Sequence, residues 1–216
     1  MAKQSTDVAI LVFPGVELLD FTGPYEALSA CRLDATRRRE EPSPFRPQLV
    51  AASLEPVACA NGPRFLPDTT FADCTAPHIL LVPGGWGVRK PLDDTALLAW
   101  IRKIGAKART VAGVCTGSML LGKAGLLEGR RATTHWRSLD WMRASYPGVT
   151  VVDDAHVVED GHVLTSAGIS AGIDLGLHLV ARYYGEDTAR ATAAHLEYRF
   201  SQDNKRRVSL SPVKSS

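Results

Sequence analysis

The sequence lacks any apolar run near the roughly 20 residues that a membrane-spanning helix requires. Its first residues, MAKQSTDVAILVF, also lack the layout of a secretory signal, because their short apolar run leads directly into strand-like sequence. These two absences predict a protein that has no membrane partner and is located in the cytoplasm.

Cysteine is scarce as well. The four cysteines show neither CxxC spacing nor a neighbouring histidine cluster; they are Cys31, Cys59, Cys74 and Cys115. Disulfide scaffolds and zinc sites depend on such spacing, so the sequence predicts neither, and no bound metal is expected. A reducing compartment fits this pattern, and each thiol has to be judged by its own surroundings.

An excess of charge of either sign is also missing, since 25 Lys and Arg against 23 Asp and Glu leave a net charge of +2. This balance does not predict nucleic acid or an anionic surface as a partner. The basic run at 37–39 is followed at once by Glu40 and Glu41, which is typical of a solvated loop. No GxxxxGK[ST] or GxGxxG pattern occurs, so no nucleotide cofactor is expected.

What the chain does contain is enough apolar residues, 45% of 216, for one domain with a hydrophobic core. Near-continuous apolar runs are typical of strands buried on both faces; they lie at 7–13, 78–82 and 110–114. Helical stretches alternate with them, at 25–31, 95–108, 170–184 and 187–198, and Asp160-Gly161 predicts a hairpin. Proline is tolerated in a first helical turn, which is where we expect Pro24.

This alternation predicts an α/β fold in which helices cover both faces of a mostly parallel sheet. We expect one domain over residues 1–200. Residues 201–216 are polar and predict a flexible C-terminal tail.

Ligands of parallel sheets bind where the strands end, and one predicted strand end carries a cysteine. The stretch GVCTGS places Cys115 between a buried strand and a helix, with Gly113 and Gly117 as small flanking residues. This pattern indicates a nucleophile elbow, a tight strand-to-helix turn that presents a reactive side chain. Because a helix N-terminus favours a thiolate, we expect a lowered pKa for Cys115. The alternative is a small buried cysteine without chemistry.

Two other strand ends offer partners for this thiol. Gly84 and Gly85 either form a turn only or aim their N–H groups, with that of Thr116, at an oxyanion. Asp20 either carries protons for the thiol or only caps the helix that follows it.

Two further residues have open roles. His135 follows Cys115 by twenty residues in the run ATTHW and is either a partner base or a hydrogen-bonded wall. Trp86 follows the glycine pair, and with Trp136 it is a candidate wall of an apolar substrate pocket.

Together these residues resemble the ThiJ/PfpI superfamily, which is related to class I glutamine amidotransferases. The resemblance spans about residues 8–198 and rests on FPGVELLDFTGPYEAL, VPGG, VCTGSMLLGKAGLLEGRRATTHW and VLTSAGISAGIDLGLHL. It implies a flavodoxin-like three-layer sandwich, a nucleophile at Cys115, a hydroxyl-bearing neighbour at Thr116 and a catalytic acid at Asp20. It also implies a homodimer.

Within the superfamily, aspartate combined with Cys-Thr is similar to the isonitrile hydratases. This implies a cofactor-independent hydro-lyase that converts a small uncharged isonitrile to an N-substituted formamide. The alternatives are a glyoxalase or deglycase acting on α-oxoaldehydes, and a non-catalytic redox or ligand sensor. A similar module stands beside a DNA-binding domain in AraC-type regulators, but the sequence given ends before such a domain, so we do not expect direct DNA binding. The ending LEYRFSQDNKRRV departs from the proline-rich ending of the hydratases.

Overall fold

The structure, a computed structural model, describes residues 5–208 except residues 75 and 202. Its strands in chain order are β1 (Thr6–Leu11), β2 (Phe45–Ala51), β3 (Val57–Ala58), β4 (Arg64–Phe65), β5 (Thr69–Thr70), β6 (Ile79–Val82), β7 (Thr110–Val114), β8 (Arg131–Ala132), β9 (Thr150–Val151), β10 (Val157–Asp160) and β11 (Val163–Ser166). Its α-helices are α1 (Leu18–Ala30), α2 (Thr95–Gly105), α3 (Gly117–Lys123), α4 (Leu139–Ser145), α5 (Ala171–Tyr184) and α6 (Glu186–His195). Short 3₁₀ helices cover Ala35–Arg37, Trp86–Arg89, Pro91–Asp93 and Trp136–Ser138.

Seven strands form the central sheet in the order β10-β11-β7-β6-β1-β2-β5. Every neighbouring pair is parallel except the hairpin of β10 and β11, which turns at the predicted Asp160-Gly161. Helices α1, α5 and α6 pack together, and α2 and α3 form a second group beside the sheet. The predicted α/β sandwich with a mostly parallel sheet is confirmed.

The three predicted buried strands occupy the middle of this sheet. All residues of β6 and β7 are buried, and in β1 only Asp7 is partly exposed. Side chains on both faces of these strands lose contact with water, which explains why their sequences are near-continuous apolar runs. Because β1, β6 and β7 are neighbours, their carboxyl ends lie side by side, and the chain segments that leave them meet there.

One helix differs from the sequence-based expectation. Helix α1 begins at Leu18, so Pro24 lies in its second turn rather than its first. Proline has no N–H, so the Asp20 carbonyl loses its intrahelical hydrogen bond at this point. Packing explains why the helix tolerates the loss: Pro24 lies against Gly172 and Gly176 of α5, where no side chain holds the two helices apart. This tertiary contact outweighs the local propensity from which the prediction was made.

The flexible tail expected over residues 201–216 stays a prediction, but its described residues include several that contact the domain. Lys205 forms a β-bridge with Ala155, and the Asn204 side chain donates to and accepts from the Val157 backbone at 2.7 and 2.9 Å. Polar composition predicted flexibility, but polar side chains also anchor a segment when the domain offers them hydrogen-bond partners. Residues 209–216 lie outside the described residues.

Within residues 5–208, leaving out 75 and 202, the structure contains no helix whose length and apolar character would let it cross a bilayer.

The close approach of α1 and α5 generates a first prediction. A Cβ atom at Gly176 would lie 2.8 Å from Cβ of Ala27 and 2.9 Å from Cα of Pro24. We expect Gly176→Ala to lower the free energy of unfolding by about 1–2 kcal/mol, since overpacking outweighs the better helix propensity of alanine. Urea unfolding measures the change. At Gly148 the three atoms nearest to an added Cβ all belong to the flexible carboxylate of exposed Glu128. Gly148→Ala is therefore the control, and an equal loss in both variants would contradict the prediction.

Candidate active site

Cys115 lies on a nucleophile elbow between β7 and α3. Its φ angle is +57°, in the left-handed region that side chains rarely adopt. The flanking glycines make the turn possible: a Cβ at Gly117 would overlap the Val82 carbonyl oxygen, and one at Gly113 would lie 2.8 Å from Leu121 Cδ1. The structure therefore contains the turn that the sequence predicts.

Hydrogen bonds on both sides hold this strained residue in place. The Cys115 carbonyl accepts from the hydroxyls of Thr134 and Ser118, each at 2.9 Å. Its N–H donates to the carbonyls of Ser166 and Ala167, each at 3.2 Å. A strained backbone persists only where its surroundings determine it in this way, and such positions cluster at functional sites.

Asp20 is the third residue of α1 and is completely buried. The N-cap position belongs to Glu17, so the interpretation of Asp20 as a helix cap is wrong. Its Oδ2 atom instead accepts a hydrogen bond from the Gly84 N–H at 3.0 Å, across the gap between two strand ends. Its Oδ1 atom is buried and has no hydrogen-bond partner that meets geometric criteria in the described residues. The carboxyl also interacts with the Cys115 thiol, and each group changes the pKa of the other.

Burial controls the protonation of the Asp20 carboxyl. Loss of water raises its pKa to about 8, which outweighs the lowering by the Gly84 hydrogen bond and by the contact with Cys115. The charge of Glu17 raises the pKa slightly further. At neutral pH the carboxyl is therefore mainly protonated and able to donate a proton.

The thiol is neutral for the same reason. Burial, then the charge of Asp20, raise the pKa of Cys115 well above its ordinary value, although the Thr116 N–H and hydroxyl act to lower it. The expected lowered pKa is wrong. The N-terminus of a seven-residue helix stabilises a thiolate less than removal from water destabilises it. Burial also raises the pKa of the other three thiols, that of Cys31 to about 11.

The backbone N–H groups of Gly84 and Gly85 each donate a hydrogen bond to a side chain of the site. The Gly84 N–H is bound to Asp20, and the Gly85 N–H donates to Thr116 Oγ1 at 3.0 Å. An oxyanion hole needs donors that face open space, so this arrangement does not match the expected one. These amides orient the acid and the hydroxyl instead, whereas the Thr116 N–H acts on the Cys115 thiol.

Gly168, which was not predicted from the sequence as a site residue, lies against the thiol. A Cβ there would lie 2.5 Å from Cys115 Sγ and 2.8 Å from Cδ2 of His135, so only glycine fits between the two side chains. The available signal was a glycine two residues after the end of β11, at a fourth strand end. His135 thus presents a ring carbon on this side, while its Nδ1 accepts from the Arg137 N–H at 3.3 Å.

The pKa of His135 is lowered by burial and then by the charges of Arg137 and Arg206, so the imidazole is neutral at pH 7. A neutral ring that faces the thiol region with a carbon atom fits the wall interpretation better than that of a partner base.

Three exposed apolar side chains are sequence neighbours of site residues. Trp86 follows the glycine pair and is 80% exposed; Leu19 precedes Asp20 and Ile169 follows Gly168, and each is 38% exposed. Exposed aromatic and aliphatic groups beside a buried reactive pair suit an apolar ligand or a second protein surface.

Glu17 was also missed. It is 8% exposed, its N–H donates to the Gly84 carbonyl at 2.9 Å, and its carboxylate accepts from Asn61 at 3.3 Å. The glycine loop is thereby tied to the start of α1, the helix that carries Asp20. The signal in the sequence was a second acidic residue three positions before Asp20.

Over the part of the chain that the structure describes, no three His, Cys, Asp or Glu side chains are grouped so that they could hold a metal.

The fold and the site define a class, namely α/β proteins that carry a cysteine on an elbow at the carboxyl edge of a flavodoxin-like parallel sheet. The chain belongs to the DJ-1/PfpI family, which matches residues 6–182.

Three known proteins show which members of the family the chain resembles. It is 41% identical to the isonitrile hydratase of Pseudomonas putida over 191 residues, which are 88% of this chain and 78% of the hydratase. It is 33% identical to the HTH-type transcriptional regulator CdhR of Pseudomonas aeruginosa over 86% of this chain, but spans only 53% of that regulator. The crystal structure of a ThiJ/PfpI family protein from Pseudomonas syringae superposes with a TM-score of 0.80 at 33% identity, covering 90% of this chain and 75% of that one.

The coupled pKa values generate a second prediction. Above pH 8, where the Asp20 carboxyl is ionised, we expect Asp20→Asn to raise the rate of Cys115 alkylation by iodoacetamide several-fold, because the charge that raises the thiol pKa is removed while an oxygen stays available to the Gly84 N–H. Thr116→Val should lower the same rate, because the hydroxyl favours the thiolate. Timed alkylation with peptide mapping follows each thiol separately. Rates that move in the same direction in both variants would refute this coupling.

Proposed function

We propose that the protein hydrates isonitriles to N-substituted formamides, with Cys115 as nucleophile and Asp20 as proton donor and acceptor. The observation that carries the proposal is the buried pair of a neutral thiol and a neutral carboxylic acid. An isonitrile carries no charge, and its terminal carbon has to gain both a sulfur and a proton. A dry site with one acid and one thiol supplies both without stabilising an ion. The 41% identity to an isonitrile hydratase supports the same reaction.

In the first step the Cys115 sulfur attacks the terminal carbon of the isonitrile. Asp20 gives its proton to that carbon, and the thiol proton moves to the carboxylate. A sulfur–carbon bond and a carbon–hydrogen bond form while the sulfur–hydrogen bond breaks, which leaves a thioimidate and a protonated Asp20. Oδ1 is the oxygen available for this transfer, because Oδ2 is held by the Gly84 N–H.

In the second step water adds to the thioimidate carbon. Asp20 protonates the nitrogen and takes a proton from the water, giving a tetrahedral intermediate. The sulfur–carbon bond then breaks, and the hydroxyl proton returns to sulfur through Asp20. One isonitrile and one water give one formamide, with no net transfer of electrons.

The remaining site residues shape this chemistry. Gly84 and Gly85 keep the acid and the Thr116 hydroxyl in place, and the Thr116 N–H stabilises charge that develops on sulfur. Trp86 and His135 form walls around an uncharged substrate. The homodimer that the family resemblance implies stays a prediction.

The reaction itself is the third prediction. With no added metal or cofactor, the purified protein is expected to form N-cyclohexylformamide from cyclohexyl isonitrile, detected by mass spectrometry. Cys115→Ala should abolish turnover, and Asp20→Asn should lower it by about 10²–10⁴-fold, because an amide cannot cycle a proton. Thr116→Val, which keeps the backbone N–H, should cost only about tenfold.

The same protein incubated with methylglyoxal is the comparison. Lactate without formamide would replace the proposal with the glyoxalase alternative. Absence of both products from a folded protein with a reactive Cys115 would instead favour the sensor alternative.

The raised pKa of Asp20 predicts the pH dependence. The protonated carboxyl is the competent form, so kcat/KM should be constant below pH 7 and fall as pH rises through about 8. Ionised thiol cannot compensate there, since the pKa of Cys115 lies well above its ordinary value. Glu17→Gln removes a charge that raises the Asp20 pKa, so it should move the falling limb to lower pH. A rate that rises through pH 8 would show that the carboxylate, not the acid, is required.

A further inference from the structure

The C-terminal segment (residues 203–208) brings one arginine towards the nucleophile elbow. Backbone contacts fix this segment beside the stretch before β10: the His156 N–H donates to the Asn204 carbonyl at 2.7 Å, and the Arg206 N–H donates to the Asp154 carbonyl at 2.6 Å. Arg207 adds an ion pair with buried Asp174 at 2.6 Å. The segment therefore has anchors other than the Arg206 side chain.

The Arg206 guanidinium points inward and binds three acceptors. Its Nε donates to the Asp153 carbonyl at 2.6 Å. Its Nη2 donates to the Thr133 hydroxyl at 2.6 Å and to the Thr134 carbonyl at 3.2 Å. Both threonines are completely buried. Through these hydrogen bonds the arginine links them to the C-terminal segment.

The contact continues to Cys115 through a single residue. The Thr134 hydroxyl donates to the Cys115 carbonyl at 2.9 Å, and the Thr133 N–H donates to the Thr165 hydroxyl of β11 at 2.9 Å. The guanidinium thus binds the backbone of the same residue whose side chain holds the strained elbow. His135, the wall of the site, comes next in the chain.

We propose that Arg206 is a positioning residue for Cys115, which acts through Thr134 to keep the elbow in its strained conformation. The φ of +57° at Cys115 is held by hydrogen bonds to its carbonyl and from its N–H, and Thr134 supplies one of the two hydroxyls at the carbonyl. When Thr134 is released, the elbow relaxes, and the thiol moves away from the Thr116 N–H that favours its ionisation. The charged guanidinium binds more strongly than a neutral donor would, and its planar fork reaches neighbouring acceptors together.

The main test uses thiol chemistry, which does not depend on the substrate. In Arg206→Ala we expect Cys115 alkylation by iodoacetamide at pH 8.5 to slow by about tenfold. Millimolar methylguanidinium should restore most of that rate, and Arg206→Lys should keep part of it. Lys205→Ala is the matched control, because it removes an exposed cation from the neighbouring position. An unchanged or faster rate in Arg206→Ala, or the same loss in Lys205→Ala, would overturn the proposal.

A double-mutant cycle tests the route through Thr134. If Arg206 acts through that residue, Thr134→Val should slow alkylation, and adding Arg206→Ala should change the rate little further. Losses that multiply would show that Arg206 does not act through Thr134. Circular dichroism confirms that each variant is folded.

Turnover gives a separate readout, which rests on the proposed function. With isonitrile as substrate, Arg206→Ala should lower kcat while KM changes little, since no substrate contact is removed. If wild-type protein forms no formamide while the alkylation results hold, the proposed function fails and the role of Arg206 stands.

Discussion

Removal of water from the Asp20 carboxyl and the Cys115 thiol is the constraint on which the rest of the site depends. Each group is more easily ionised in water than here, so burial keeps both protons in place. The surroundings supply one backbone N–H donor to the carboxyl and one to the thiol. One amide orients the acid through Oδ2 and one N–H faces the sulfur, and within the described residues no cation is among the groups that shift the two pKa values.

The parallel sheet makes this burial possible. Strands β1, β6 and β7 are neighbours, so the helix start that carries Asp20, the glycine loop and the elbow converge from distant parts of the sequence. Close approach needs backbone without side chains, which is why glycines stand where segments meet. A Cβ at Gly84 would overlap the Thr116 hydroxyl, and one at Gly168 would meet the thiol.

The local sequence pattern was enough to predict the buried strands and the elbow. A strand buried on both faces has an apolar sequence, and a tight turn requires small flanking residues. Properties that depend on contacts between distant segments of the chain could not be predicted from the sequence. Pro24 lies in a helix interior because α5 has glycines opposite it. The thiol pKa depends on the depth of burial, which no neighbouring residue in the chain reports. The roles of the loop amides depended on which acceptors the fold brings to them.

Similarity to this family alone does not determine chemistry, since the relatives of this chain include a hydratase and a transcription regulator. The protonation of the pair discriminates more sharply. A site with water and a nearby cation would hold a thiolate, which reacts with oxidants and charged electrophiles. A dry site whose acid keeps its proton to about pH 8 instead suits a neutral substrate that must be protonated as sulfur attacks it. In the proposed reaction the sulfur has to be held beside both the acid and the Thr116 N–H, so restraints on the elbow backbone act on the rate of that reaction.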